Sequence, residues 1–259
     1  MISATFLFLS TSYIAWYLER FELDMIYPFD SEYSTPAEAG VPELEELKFQ
    51  TSDGETLVLW TAEAPDGQPT VLYLPGNAGT LESRAGRFRQ MKAAGFGVVA
   101  LSYRGSSGSS GEPEEALLTA DAKEVANGLD GPLVLFGESL GTAVAVKLAA
   151  EGVGDALLLE AAFTSVPALV ASQYPDESLE HLLTQRWDSL SLAEFVNQPL
   201  MMIHGTDDKL VPIGMARAIF GAARSEKKQF IEVNAGGHHD LWSAETQMQM
   251  FDFIRRFGS

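Results

Sequence analysis

A Gly-x-Ser-x-Gly pentapeptide at Gly137–Gly141 places Ser139 between a short apolar run and a run rich in small residues. Because Gly and Ser are common, the pentapeptide has meaning only with a strand before it and a helix after it, as these flanking runs predict. In that setting the turn is sharp, and the two glycines leave room for a strained serine backbone. Ser139 is therefore predicted to project at the carboxyl edge of a sheet as a candidate nucleophile.

A serine hydroxyl is a weak nucleophile at neutral pH and requires a general base, which is most often a histidine. Of the four histidines, His238 and His239 follow two glycines just after the last strand-like run. That position suits the chain order of nucleophile, acid and base. We interpret His181 as a surface residue and His204, which ends a strand-like run, as structural. His238 and His239 both remain candidates for the base.

The orienting acid is expected after the strand-like run Leu200–Ile203, where Asp207 and Asp208 compete. Either carboxylate could instead cap the helix that is predicted to begin near Pro212. Glu160, at the end of the preceding strand-like run, is a third candidate.

Two backbone N–H groups are candidates for stabilising a negatively charged oxygen. The N–H of Leu140 lies at a predicted helix N-terminus, where the helix dipole favours negative charge. The second donor is expected in the loop after the third strand-like run, with Asn77 preferred over Ala78. Pro75 has no N–H and cannot donate. These residues therefore predict an oxyanion hole.

Short apolar runs bounded by Gly or Pro predict the sheet that positions these residues. Eight strands are predicted, at Glu45–Thr51, Thr56–Ala62, Thr70–Leu74, Gly97–Leu101, Leu133–Phe136, Ala156–Leu159, Leu200–Ile203 and Gln229–Val233. Helices are predicted between the later strands, at Leu81–Ala94, Pro113–Asn127, Leu140–Glu151, Ile213–Ala223 and Leu241–Arg256. The pattern predicts an α/β fold: one mostly parallel sheet that starts with a hairpin and has helices on both faces.

Composition excludes several classes of protein and partner. The chain has 259 residues, 46% of them hydrophobic, which is enough for a substantial core and argues against disorder. It contains no cysteine, so disulfides and thiolate chemistry are excluded. A formal net charge of −19 would repel a phosphate backbone, so no nucleic-acid partner is expected. We find no metal-ligand spacing and expect neither a metal nor another cofactor.

Residues 2–18 contain no charged side chain. The length of this segment is at the lower limit, about 17 residues, for crossing a bilayer. We divide the chain into an apolar helix over residues 1–24 and a catalytic domain over residues 25–259. The apolar helix is expected to contact a membrane, so the protein would be membrane-associated through it and otherwise cytoplasmic. A helix packed on the body of the protein and a cleaved signal are the alternatives.

The chain resembles α/β-hydrolase-fold serine hydrolases, and among them the bud-emergence-type α/β-hydrolase-domain proteins. The resemblance runs in order from residue 25 to residue 245. Its motifs are Pro36–Gly40, Gly76–Gly79, Ser102–Gly105, Gly137–Gly141, Phe163–Ser165, His204-Gly205 with Asp208 and Val211-Pro212, and Gly237–Asp240. Pro75 stands where the family commonly has His, and His239 replaces the usual Asn.

The resemblance implies that the acid is Asp208 and the base is His238. It also implies esterase or thioesterase chemistry on a small-molecule or acylated substrate, with an acyl-enzyme formed on Ser139. A second hypothesis is that the protein is a peptidase or amidase of the prolyl-oligopeptidase type. A third is that it is a binding module without catalytic activity on the same fold, because a fold does not guarantee a function.

The stretch between the strands that end near Glu160 and begin near Pro199 is too short for a large lid. We therefore expect a minimal lid, a shallow and open pocket, and short to medium acyl chains. Four aromatic residues in or near this stretch are candidates for lining the pocket, namely Phe163, Tyr174, Trp187 and Phe195.

Overall fold

The computed structural model describes residues 18, 20–175 and 180–258. Within them, one sheet contains the strands β1 (Glu45–Gln50), β2 (Thr56–Ala62), β3 (Thr70–Leu74), β4 (Gly97–Leu101), β5 (Leu133–Glu138), β6 (Ala156–Glu160), β7 (Leu200–Gly205) and β8 (Lys228–Val233). The helices are α1 (Ala85–Ala93), α2 (Glu115–Asn127), α3 (Leu140–Ala150), α4 (Val166–Gln173), α5 (Ser189–Ala193), α6 (Ile213–Ala222) and α7 (Ala244–Phe257).

The strands lie in the order β1-β2-β4-β3-β5-β6-β7-β8. β2 is antiparallel to both of its neighbours, and the strands from β4 to β8 are parallel. The predicted sheet, with its antiparallel start and later parallel strands, is confirmed. Because the carboxyl ends of the parallel strands meet at one edge, the loops that follow β3, β5, β7 and β8 converge there.

Alternating side chains of the central strands supply two separate cores. On β3, Val71 and Tyr73 belong to one hydrophobic cluster, and Leu72 and Leu74 belong to the other. Helices α1 and α7 cover the first cluster, while α2, α3 and α6 cover the second. This arrangement follows from the period of two along a strand, which sends successive side chains to opposite faces.

Several elements differ by a few residues from their predicted bounds, and two differences lie close to the site. Strand β5 continues to Glu138 rather than ending at Phe136, because Gly137 pairs with Leu74 on one side and with Leu159 on the other. The connection from β6 to β7 contains two short helices, α4 and α5, whose bounds the sequence analysis did not predict. Neither helix forms a large separate lid.

Residues 20–26 are helical and cross the predicted boundary at residue 24. Leu23 and Ile26 of this segment pack against the same core as α2, α3 and α6. Residues 1–17, which hold most of the predicted apolar helix, lie outside the described residues. In the part of the chain that the structure describes, no helix combines the length and apolarity that a bilayer crossing requires.

Candidate active site

Ser139 occupies a strained turn between β5 and α3. Its φ of 50° and ψ of −114° lie in a region that residues with a Cβ rarely adopt. A Cβ on Gly137 would lie 2.4 Å from the Gly141 carbonyl oxygen, and a Cβ on Gly141 would lie 1.9 Å from that of Leu74. Both glycines are therefore required by close backbone contact, as the sequence analysis expected from the pentapeptide.

The neighbouring strand and helix hold this turn in place. The Ser139 N–H donates to the Glu160 carbonyl oxygen at 2.8 Å. The Ser139 carbonyl oxygen accepts from the Thr142 N–H at 2.9 Å and from the Thr142 hydroxyl at 2.6 Å. These hydrogen bonds satisfy the backbone N–H and C=O groups of the strained residue. Its side chain is therefore not needed to satisfy them and can face the cleft.

The structure brings Ser139, His238 and Asp208 together. His238 Nε2 lies 3.0 Å from Ser139 Oγ, and His238 Nδ1 lies 2.7 Å from Asp208 Oδ2. The imidazole thus forms hydrogen bonds to both partners, with one ring nitrogen for each. His239 is exposed, and its ring packs edge-on against that of His238 with the two centroids 4.8 Å apart.

Asp208 is held by the backbone of its own loop as well as by the imidazole. Its Oδ1 accepts hydrogen bonds from the Leu210 N–H at 2.9 Å and the Val211 N–H at 2.8 Å. Burial raises the pKa of the Asp208 carboxyl, but these donors and His238 outweigh it, so the pKa lies below its usual range. The carboxylate therefore stays ionised and in place beside the imidazole.

The other carboxylates considered for this role have different surroundings. The Asp207 side chain is 63% exposed and lies 3.6 Å from the Lys209 ammonium. Glu160 is buried, and both of its carboxylate oxygens accept from the Arg87 guanidinium at 2.9 Å. Neither has the contact with a histidine that Asp208 has.

Backbone contacts fasten the loop after β7 to the loop after β8. The Asp207 N–H donates to the Gly236 carbonyl oxygen at 2.9 Å, and the Thr206 N–H donates to that of Val233 at 3.0 Å. A Cβ on Gly205 would lie 2.2 Å from the Gly236 oxygen. Glycine at position 205 is therefore needed to bring the acid loop and the histidine loop together.

Asn77 and Leu140 line the same cleft as Ser139. The loop that carries Asn77 touches the serine turn, since a Cβ on Gly76 would lie 3.3 Å from Ser139 Cβ. Among the turn, loop and capping hydrogen bonds of the described residues, none has the N–H of Asn77 or Leu140 as its donor. Neither N–H group is therefore engaged by one of these backbone acceptors.

The cleft has a volume of about 190 Å³ and is mostly apolar. It is lined by Met25, Ile26, Asn77, Ser139, Leu140, Phe163, Val166, Leu169, Val170, Leu210 and Val211. Of the aromatic residues selected from the sequence, Phe163 lies in this lining. The α4 residues were missed, although Ser165 followed by Val166-Pro167 is a helix-start signal and Val166, Leu169 and Val170 have helical spacing.

The structure places the other selected aromatic residues outside the cleft lining. Trp187 is fully buried, donates from Nε1 to the Tyr27 hydroxyl at 2.9 Å and lies under the Lys147 ammonium. Its polar edge therefore finds a partner in the core, which is usual for a buried indole. Tyr174, at the end of α4, is 54% exposed, and Phe195 is exposed as well. Trp187 is a packing residue rather than the substrate contact that the sequence analysis selected.

A buried group of charges lies next to the serine turn, and the sequence analysis did not identify it. The Arg84 guanidinium binds Glu138 through two hydrogen bonds of 2.6 and 2.8 Å, and the Tyr73 hydroxyl donates to the same carboxylate. Arg87, which binds Glu160, also lies over the Trp242 ring. The available sequence signal was the close spacing of Arg84, Arg87 and Arg89.

Comparison with known proteins gives the family. Residues 71–199 match the model of the alpha/beta hydrolase family. An uncharacterized protein from Mycobacterium tuberculosis is 34% identical over 90% of this chain and 85% of its own length. The chain belongs to the alpha/beta hydrolase family. The protein bem46 of Schizosaccharomyces pombe is 28% identical, covering 92% of this chain and 87% of bem46, which agrees with the resemblance to bud-emergence-type proteins.

This alpha/beta hydrolase also has relatives that are named for ester chemistry. The lysophosphatidylserine lipase ABHD12 of Rattus norvegicus is 32% identical over 71% of this chain and 53% of the lipase. Among solved structures, the esterase Pf2001 of Pyrococcus furiosus superposes with a TM-score of 0.74 at 16% identity, covering 90% of this chain and 99% of the esterase. That superposition shows the shared fold.

Proposed function

We propose that this alpha/beta hydrolase is a serine hydrolase that cleaves carboxylic esters or thioesters with short to medium acyl chains. The observation that carries the proposal is the chain of two hydrogen bonds from Asp208 through His238 to Ser139. A nucleophile, a base and an orienting acid in this arrangement are what acyl transfer through serine requires. Relatives and structural neighbours named as a lipase and an esterase support the same class of reaction.

In the acylation step, Ser139 Oγ forms a bond to the substrate carbonyl carbon while His238 Nε2 takes the hydroxyl proton. The carbonyl electrons move onto oxygen, and the N–H groups of Asn77 and Leu140 bind the resulting oxyanion. One such donor contributes a factor of roughly 10²–10³ in kcat. Collapse of the intermediate breaks the bond to the leaving oxygen or sulfur, which receives the proton from His238.

In the deacylation step, water attacks the acyl-enzyme and gives its proton to His238. The second tetrahedral intermediate releases the carboxylic acid, and Ser139 recovers its proton. In both steps the Asp208 carboxylate holds the proton of His238 on Nδ1 and stabilises the imidazolium that forms. The cycle uses only side chains and backbone N–H groups of this chain, with neither a metal nor another cofactor.

The size of the cleft supports the short to medium acyl preference. An apolar protein cavity of about 150 Å³ holds one benzene molecule. A cleft of about 190 Å³ beside Ser139 is therefore large enough for a short acyl chain. Phe163, Val166 and Leu169 supply the apolar surface that an acyl chain would bury.

Labelling by a fluorophosphonate probe and a substrate panel test the proposal. Wild type should react with the probe and hydrolyse nitrophenyl esters and thioesters faster than the matching anilides. Ser139→Ala should lose both labelling and turnover, because no other hydroxyl lies within hydrogen-bonding distance of His238 among the described residues. Ser191→Ala, at an exposed serine of α5, is the matched control and should behave as wild type.

Three outcomes would contradict the proposal. Full turnover by Ser139→Ala would refute the mechanism. Faster hydrolysis of anilides than of esters would favour the peptidase or amidase reading. A folded wild type that neither reacts with the probe nor turns over any substrate would favour the binding module.

We also propose that residues 2–18 contact a membrane. These residues have no charged side chain, and their last residue, Leu18, is exposed together with Phe21 and Met25, which follow it at helical spacing. An apolar helix face beside an uncharged segment suits the interfacial region of a bilayer. Co-sedimentation of the full chain with phospholipid vesicles tests this contact, and recovery of all the protein in the supernatant would contradict it.

A further inference from the structure

Residues 22–27 are anchored to the connection between β6 and β7 by a buried carboxylate. Glu22 accepts hydrogen bonds from the Thr184 N–H at 2.7 Å, the Thr184 hydroxyl at 2.8 Å and the Gln185 N–H at 2.8 Å. The Tyr27 hydroxyl donates to Gln185 Oε1 at 2.7 Å. A buried carboxylate with three donors fixes the end of the helical segment against the body of the protein.

The same segment is bonded to the loop that carries Asn77. Asn77 Nδ2 donates to the Ile26 carbonyl oxygen at 2.8 Å. Asn77 is the residue whose backbone N–H is proposed to bind the oxyanion, and its loop touches the serine turn at Gly76. Since the side-chain bond restrains the rotation of Asn77, it also restrains the direction of that N–H.

Two residues of the segment form part of the cleft surface. Met25 and Ile26 line the cleft together with Ser139 and with Leu169, Val170 and Leu210 from the body of the protein. Ile26 is buried, whereas Met25 lines the cleft and is also 45% exposed. A lining residue with a long, flexible side chain can change the space that is open to an acyl chain.

We propose that residues 22–27 complete the active site: Met25 sets the acyl-chain length, and the Ile26 carbonyl positions Asn77. This inference rests on the proposed esterase function. It assigns a specificity-determining side chain and a positioning contact to a segment that precedes the sheet. In the sequence, this segment lies between the apolar residues 2–18 and the first strand of the sheet.

Substitution of Met25 tests the chain-length role. With nitrophenyl esters from acetate to palmitate, Met25→Ala should move the optimum of kcat/KM to longer chains and Met25→Trp to shorter ones. Each methylene gained or lost by burial should change kcat/KM about fourfold. Met248, an exposed methionine on α7, provides the matched controls Met248→Ala and Met248→Trp, which should keep the wild-type profile.

Asn77→Leu tests the positioning contact, because it nearly keeps the shape of the side chain and removes the donor to Ile26 without adding a charge beside the oxyanion. We expect kcat and the rate of fluorophosphonate labelling to fall about tenfold, as for one lost hydrogen bond, while KM stays near that of wild type. Asn77→Ser is a second variant that also cannot span this distance and should show the same split. An effect on folding alone would lower the melting temperature and the number of active sites that the probe titrates, while kcat per titrated site would stay at the wild-type value.

The outcomes separate this inference from the function on which it rests. If wild type shows labelling that depends on Ser139 but the Met25 variants keep its chain-length profile, the specificity role is overturned. If the Asn77 variants keep the wild-type kcat, the positioning role is overturned. If folded wild type shows no labelling that depends on Ser139, the proposed function fails, and this inference fails with it.

Discussion

Near Ser139, one buried carboxylate is paired with an imidazole and two others are paired with guanidinium groups. Asp208 contacts His238, whereas Glu138 and Glu160 contact Arg84 and Arg87. Exposure does not separate these carboxylates, since Asp208 is 7% exposed and Glu138 is 8% exposed. The difference lies in the partner: an imidazole gains and loses a proton near neutral pH, while a guanidinium keeps its charge.

Each pairing has a different consequence for the serine turn. The pair of Asp208 and His238 can support proton transfer because the charge of the imidazole changes during the reaction. The pairs with Arg84 and Arg87 cannot change charge, so they hold the end of β5 and the end of β6 in fixed positions. A polar group buried with complete hydrogen bonding can therefore serve either chemistry or positioning, depending on the acidity of its partner.

The largest effect is expected for Asp208→Asn. The amide would favour the wrong tautomer of His238, and kcat should fall by roughly 10⁴. Steady-state kinetics with a nitrophenyl ester measure this change. Asp207→Asn, at the exposed neighbouring residue, is the matched control and should retain full activity. A loss smaller than tenfold in Asp208→Asn would remove the proposed distinction between the two kinds of pair.

An intermediate effect is expected for Arg84→Met, and it should appear as a loss of stability. The substitution leaves Glu138 buried without its cation, which costs about 3–5 kcal/mol of unfolding free energy. Chemical denaturation at neutral pH measures this cost. The double variant Arg84→Met, Glu138→Met removes both charges and should recover most of the loss. A single variant as stable as wild type would show that the guanidinium does not stabilise the turn.

The smallest effect is expected in the pH dependence of stability. Because the folded pKa of Asp208 lies below its ordinary value of 3.8, its carboxylate stabilises the folded state above that pH. This contribution should be lost as the pH falls through the folded pKa, by about 1.4 kcal/mol for each unit between the two pKa values. Unfolding free energies of wild type and Asp208→Asn should converge on acidification. A difference independent of pH would contradict the pKa shift.

Much of the fold was predictable because its strands are short apolar runs with clear ends. All eight strands were predicted, and strands β2, β3 and β4 have the predicted bounds. Strand β5 continues past its predicted end through Gly137, and this difference has a physical reason. Glycine usually ends a strand, but here its missing side chain lets α3 pack directly against β5. Local sequence cannot show that the partner strands continue on both sides of this glycine.

The candidate site was predictable to a similar depth where function demands particular residue types. The pentapeptide identified Ser139, and chain order reduced the base to His238 or His239 and the acid to Asp207, Asp208 or Glu160. Leu140 was predicted from the helix that follows Ser139, and Asn77 was predicted from the loop that follows β3. The lining was not predictable to the same extent, because apolar residues such as Phe163 and Trp187 look alike in a sequence.

By itself, the sequence determined the order of strands and helices along the chain and the residue types that can perform acyl transfer. Periodicity and composition are local properties, so they are legible without a structure. The resemblance selected His238 over His239, and the tertiary structure shows its contact with Ser139. Only the tertiary structure decided that Met25 and Ile26 lie in the cleft. Residues more than a hundred positions apart, such as Ile26 and Ser139, line one cleft because of how the elements pack, and no local pattern records that packing.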